Sequence, residues 1–433
     1  MKPHLVIKFA RPLPGIPCDH WQNFVHDKSR SVTSVRTDID QVFQRFAIPF
    51  WVTFEYPPAD QVRFSQDEIK SGFDRTYRFI LRSKMGIPPA LVEQIRIIPD
   101  VQSVREIAAT ISELPDRLSQ TRSYLGRSSW ATKMIGLKQA HLHTDGVPQV
   151  KVAILDTGVE ANHPELAGQI SQTADFVDFA GLETTSFIGD LIDADEDAAD
   201  EVGHGTHVAG ILTGKGIKIA RGVCPGCTHI VVRVLATLQQ GNQRVGAGLI
   251  DNINVGIKWA VDQGADVINM SLGIRHEHGG LPHQDVIEYA LRRGATVVAA
   301  SGNDGSDNKY YPGALPGVIA VGAADPSGNV ADFTSFGARI SFLAPGVQIL
   351  SAYRSGDYIA SSGTSQAAPF VSGAIALLKS LARKAGKNLN DNAVKYILKN
   401  SADRQTPRWH DGRSGYGIIN LADAFTLTRH SLN

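Results

Sequence analysis

The sequence is poor in cysteine. Only Cys18, Cys224 and Cys227 occur among 433 residues, too few for the disulfide framework that staples small secreted folds, so a reducing compartment is expected. It also lacks an excess of charge: Lys plus Arg and Asp plus Glu both number 43, which removes the electrostatic case for a nucleic-acid partner. No apolar run approaches the roughly 20 residues that span a bilayer, so no membrane partner is expected. The start, MKPHLVIKFARPLPG, has its short apolar run cut by Lys8 and no small-residue cleavage site after it. That predicts a cytoplasmic protein, with leaderless export as the alternative. Internal repeats and low-complexity tracts are missing too. What remains is ordinary globular composition in a chain long enough for one large domain and a smaller one.

From residue 150 onward, short β-rich runs alternate with longer helical patterns. This predicts an α/β domain over 130–428 with a mostly parallel central sheet and helices on both faces. The expected strands are 150–155, 229–235, 266–270, 296–300 and 318–322, and the expected helices 204–213, 246–263, 284–293, 366–385 and 391–400. The stretch APFVSGAIALL at 368–378 is apolar nearly all round, as a buried helix would be. Upstream, VIKF, IPFWVTFEY and VQSVREI read as strands, TDIDQVFQRF and PALVEQIRII as helices. They predict a small ferredoxin-like α+β domain over 1–111, its helices on one face of an antiparallel sheet. Residues 112–129, polar and without period, read as an exposed linker containing a candidate processing site.

Several residues could carry chemistry. Asp156 ends a strand at a glycine turn, where an open α/β sheet presents side chains to a crevice; capping that turn is an equal reading. Ser365 in GTSQAAP opens the buried helix at its positive end, where a plain N-cap is also at home. Asn303 in SGNDG lies just past a strand end, where a turn residue is the bland reading. GHGTHVAG at 203–210 holds two histidines, and a metal pair, a packed structural pair and a lone general base all fit it. Cys224-Pro-Gly-Cys227 has CxxC spacing, but with no second CxxC a small turn is expected over a redox or zinc site.

Taken together, DTGVEANHPEL, GHGTHVAG, INMSLG, VVAASGNDG, YYPGALPGVIAVGA, LAPG, GTSQAAP and GYGIINLADA resemble the motifs of the subtilisin-like serine peptidases, the subtilases, in that family's order over about 130–425. The resemblance implies a subtilisin-like fold and a triad in the chain order Asp156, His204, Ser365, which is subtilisin's order. It makes His204 the base, His207 structural, and Asn303 the oxyanion-hole side chain, with the Ser365 N–H as second donor. The activity implied is a serine endopeptidase working through an acyl-enzyme, with no cofactor required for chemistry. A peptide ligase or cyclase on the same triad, and a non-catalytic binding protein of the same fold, are the alternatives.

The resemblance also sketches a groove for an extended peptide or protein substrate. Ala247-Gly248 and Ser271-Leu272-Gly273 form its two edges, and Ile250, Ile253 and Leu272 an apolar pocket, for which plain core is the competing reading. Tyr310 stands where many relatives have glycine or another small residue at the base of the pocket for the residue before the scissile bond, which implies a shallow pocket and a preference for small or medium residues over Phe or Tyr. In the run DLIDADEDAADE (190–201), Asp193, Asp195 and Asp197 are calcium candidates, with a solvated loop as the alternative. The family leaves a structural calcium open, yet TGKGIKIARG (213–222) lacks the Asn-rich stretch that holds the tight calcium in many relatives. Finally, VEQIRIIPDVQSVREI (92–107) resembles the end of a subtilase pro-domain. The N-terminal domain would then act as an inhibitor lying in the groove and be removed by cleavage around 110–127; retention for partner binding is the other reading.

Overall fold

The computed structural model describes residues 3–16, 20–26, 29, 31–82, 86–106, 109–112, 129–178, 187–190, 197–241, 243–275 and 281–432. The N-terminal region forms a four-stranded antiparallel sheet in the order Phe50–Phe54, Thr76–Leu81, His4–Phe9, Val101–Glu106. Period-two alternation divides its faces. Leu5, Ile7, Phe9, Tyr77, Phe79 and Leu81 turn toward the helices Thr37–Arg45 and Pro89–Arg96, whose Ile39, Val42, Phe43, Leu91, Val92 and Ile95 complete one apolar core. This is the expected α+β arrangement, with one strand unforeseen: TYRFIL is buried at every position, so it shows no alternation to read.

The second face of that sheet is polar and meets the large domain. His4 Nε2 and Arg105 bond to opposite oxygens of the buried Asp251, at 3.2 and 2.9 Å. Glu55 and Arg78 form a fully buried two-point ion pair with Arg78 stacked on Trp21, and Glu68 meets Lys258 at 2.7 Å. Asp251 and Lys258 both belong to the helix Ile250–Asp262 of the large domain.

The large domain is built on a seven-stranded sheet, parallel throughout, in the order Ile340–Pro345, Ile319–Ala324, Thr296–Ala300, Val267–Met270, Lys151–Asp156, Thr228–Arg233, Ile170–Asp175. Val152, Ile154, Val231, Val267, Val298 and Val321 point into a core shared with the helices His204–Thr213 and Thr364–Lys384. Their neighbours Ala153, Leu155, Ile230, Val232, Ile268, Met270 and Val297 point into another, against Ile250–Asp262 and Gln284–Arg292. The five expected strands are present, and the two not foreseen are the sheet's edges. Ile170–Asp175 reads ISQTAD because one flank is solvated, and Ile340–Pro345 closes on a proline that only an edge tolerates.

The helix expected from 246 starts at Ile250. Gln243–Leu249, interrupted by two glycines, is instead a strand paired with Ala236–Gln240, and Phe187–Ile188 adds to that hairpin. The free flank of the Gln243–Leu249 strand takes a fourth strand from far upstream: Ala109–Ser112 runs antiparallel along it, Ser112 opposite Gly246, Ile111 opposite Ala247 and Thr110 opposite Gly248. Residues 113–128, the body of the predicted linker, lie outside the described residues. A last helix, Leu421–Leu432, is not expected from the sequence pattern.

Candidate active site

Asp156 is the final residue of the interior strand Lys151–Asp156 and is fully buried. His204 opens the following helix, and two glycines bring it there. Gly203 holds φ +98°, and a side chain on it would enter the Tyr353 ring; a Cβ on Gly205 would stand 2.1 Å from the Gly158 carbonyl, so only glycine lets the helix approach the turn after Asp156. His204 Nδ1–H donates to Asp156 Oδ1 at 2.6 Å, while His204 Nε2 is buried without a hydrogen-bond partner. Burial works against the imidazolium, but the charge and hydrogen bond of Asp156, with Asp200 behind them, prevail and raise the His204 pKa above its ordinary 6.5. The second histidine behaves differently. His207 is tied by Nε2 to the Ile349 and Ile359 carbonyls, and burial, then the neighbouring His204 charge, lowers its pKa to about 4. It holds structure.

Ser365 sits in the first turn of Thr364–Lys384, a helix that starts two residues earlier than the sequence pattern suggests. Its Oγ–H donates to the Ser271 carbonyl at 3.0 Å, and Ser271 Oγ–H donates back to the Ser365 carbonyl at 2.8 Å. The return bond has a local cause: the natural partner of that carbonyl, the nitrogen four residues on, belongs to Pro369 and carries no hydrogen. Asn303 is anchored by the same helix, its Oδ1 accepting from Thr364 N at 2.8 Å and from Thr364 Oγ1 at 2.9 Å. With its oxygen so engaged, the amide has its NH2 left to offer.

Three supporting residues escape the sequence reading: Ser271 in this role, Thr364 and Asp200. Asp200 is buried and its carboxylate accepts from Thr157 Oγ1, Val202 N, Gly203 N, Thr206 N and Thr206 Oγ1, which joins the turn after Asp156 to the start of the His204 helix. Burial raises its pKa against those bonds. Its signal is present, an Asp just ahead of a helix start, but it is hidden at the end of an acidic run.

The predicted groove residues gather around the Ala109–Ser112 strand. Ala247 and Gly248 pair with it, and it also approaches Ile274–Arg275, which directly follow Ser271, Leu272 and Gly273. Ile250, Ile253 and Leu272 are buried in one apolar cluster. Tyr310 turns inward: its ring occupies the space where a Cβ on Gly302, the residue before Asn303, would fall at 2.3 Å, and its Cβ lies 3.3 Å from one built on Gly273.

Asp193 and Asp195 lie outside the described residues, and Asp197 accepts a local backbone bond from Ala199 at 3.1 Å. Among the described residues no group of three or more His, Cys, Asp or Glu is arranged to hold a metal ion. Cys224 and Cys227 are buried free thiols on a turn closed by Cys227 N–H to Cys224 O at 3.1 Å. No described helix is long and apolar enough to cross a membrane.

The profile of the subtilase family, Peptidase S8, matches residues 148–417. The chain is 36% identical over 286 residues to a thermophilic serine proteinase of Bacillus sp. strain AK1, covering 65% of this chain and 63% of that protein. It is 37% identical over 257 residues to thermitase of Thermoactinomyces vulgaris, covering 59% of this chain and 81% of thermitase. Among solved structures, the prenylagaramide maturation protease PagA superposes with a TM-score of 0.55 at 33% identity, covering 68% of this chain and 98% of PagA.

Proposed function

The chain belongs to the subtilase family of serine peptidases, and from that premise we propose that it is an endopeptidase acting through an acyl-enzyme on Ser365. The observation that carries this reading is the state of His204: one ring nitrogen is fixed by Asp156 at 2.6 Å and the other is buried and unpartnered. Such an imidazole has one tautomer and one vacant acceptor, which is what a serine hydroxyl needs to lose its proton. Ser365 Oγ would leave the Ser271 carbonyl for His204 Nε2 as substrate enters, a tightening common between free and occupied sites. The carbonyl carbon is attacked, His204 carries the proton to the leaving amine, and the developing oxyanion is met by the Asn303 amide and the Ser365 N–H. Water then resolves the ester by the same route in reverse. The test is hydrolysis of an extended peptide by the purified chain, with labelling by a serine-directed phosphonate. Labelling retained in Ser365→Ala overturns the assignment.

We further propose that the N-terminal domain is an inhibitor and that the chain is made as a zymogen. Support comes from the Ala109–Ser112 strand, which takes the backbone pairing an extended substrate would take along Gly246–Leu249. Self-processing between 110 and 127 is expected in the parent and absent in Ser365→Ala, as read by intact mass; processing that persists in the variant defeats this reading. Tyr310 would fill the pocket beside Asn303 and favour small or medium side chains over Phe or Tyr before the scissile bond.

A further inference from the structure

Glu165 follows the strand that ends in Asp156 and is fully buried. Its two carboxylate oxygens accept four consecutive backbone N–H groups. Oε2 takes Gly216 at 2.8 Å and Ile217 at 3.0 Å; Oε1 takes Lys218 at 2.6 Å and Ile219 at 3.3 Å. Its own carbonyl accepts Lys215 N–H at 3.1 Å, and the loop is closed on itself by Gly222 N–H to Gly214 O at 2.8 Å. This loop continues directly from the helix His204–Thr213.

A calcium ion takes six to eight oxygen ligands at about 2.3–2.6 Å. Here the polarity is reversed. The loop presents amide hydrogens, not carbonyl oxygens, toward its interior, and converging N–H groups form a concavity that favours an anion. Both oxygens of the carboxylate are already engaged by those hydrogens, so a cation drawn to it would meet repulsive donors. Conversely, a buried carboxylate is costly unless its lone pairs are satisfied, and four N–H bonds satisfy them. The residues do not fit the tight calcium that the family implies for this loop.

From this donor set we infer that Glu165 is a built-in anion that organises the 214–222 loop in place of a bound calcium ion. The loop, and through it the far end of the helix that begins at His204, is held by the chain alone. The inference rests on family membership and is independent of the peptidase reading, because its readout is structural.

Hydrogen exchange of the 214–222 backbone decides it, in full-length Ser365→Ala protein to prevent self-digestion. Protection should be equal in millimolar calcium and in EDTA. In Glu165→Gln it should fall by about tenfold or more, with calcium failing to restore it, because the new amide sets a donor against two N–H groups. A rise of about tenfold in protection on adding calcium to the parent overturns the inference, and so does full protection in Glu165→Gln. Should Glu165→Gln fail to fold, the comparison of calcium with EDTA on the parent remains decisive.

Discussion

Ser365 and Ser271 are bonded in both directions, hydroxyl to carbonyl, at 3.0 and 2.8 Å. The pair holds the Ser365 hydroxyl and repairs the gap that Pro369 leaves in its helix. Asn269 extends the chain: its Nδ2 donates to Ser271 Oγ at 3.0 Å, and its Oδ1 accepts from Ser372 at 2.8 Å. Ser271→Ala therefore orphans a buried carbonyl and should cost about 1–3 kcal/mol of stability. Denaturant unfolding of the Ser365→Ala and the Ser271→Ala/Ser365→Ala proteins is the measurement, and equal midpoints would contradict the repair role.

The raised pKa of His204 sets a pH dependence. In the proposed mechanism the base is neutral imidazole, so kcat/KM should fall on the acid side through an inflection above 6.5. Removing the Asp156 charge takes away the larger part of what raises the pKa and leaves Asp200 against burial, which lowers it. Asp156→Asn should thus move the inflection downward while cutting kcat by about 10⁴-fold through the wrong tautomer. The stability side has the opposite sense. A raised pKa means the protonated His204–Asp156 pair adds stability that is complete below 6.5 and is lost as pH climbs through the folded-state value. An inflection unmoved by Asp156→Asn would break the link.

Asn303 is held by its oxygen and donates with its nitrogen. Replacing it with alanine should lower kcat by about 10²–10³-fold with little change in KM, the loss seen in subtilisin when one oxyanion donor is removed. A change confined to KM would assign Asn303 to ground-state binding instead.

Tyr310 predicts a substrate preference. Peptides with Ala before the scissile bond should be cleaved faster than those with Phe, and Tyr310→Gly should raise kcat/KM for the Phe peptide by about tenfold or more, the lower end of what one methylene in an apolar pocket is worth. Faster cleavage of the Phe peptide by the parent rules the idea out.

Much of this is legible in the sequence for a physical reason: the side chains proposed to meet a reacting atom have few chemical substitutes. Asp156, His204 and Asn303 stand at strand ends and a helix start, and Ser365 opens the long buried helix, all where their motifs put them. The interior strands are legible too, because burial on both faces leaves continuous apolar runs. Edges are not: Ile170–Asp175 mixes polar and apolar residues without a pattern. The Gln243–Leu249 strand escapes because its apolar residues continue into the next helix, so only the glycines mark the change. Nor can sequence show Ser271 or Thr364 as partners, since their role depends on a carbonyl freed by Pro369 and an amide brought from a distant loop. Asp200 is visible but easily misplaced, standing in a run of acids that reads as solvated while its own carboxylate is buried.

The face between the two domains carries a consequence of its own. Its ions, His4 and Arg105 to Asp251 and Glu68 to Lys258, gain an attraction that is offset by the water each gives up, while Tyr56 and Phe73 enter an apolar cluster with Ile253, Ile257 and Tyr289 of the large domain. In such a seam the ions orient and the buried aromatics bind. Pulled apart, it would bare Tyr56 and Phe73 on one half and Tyr289 on the other, so each half alone would tend to clump.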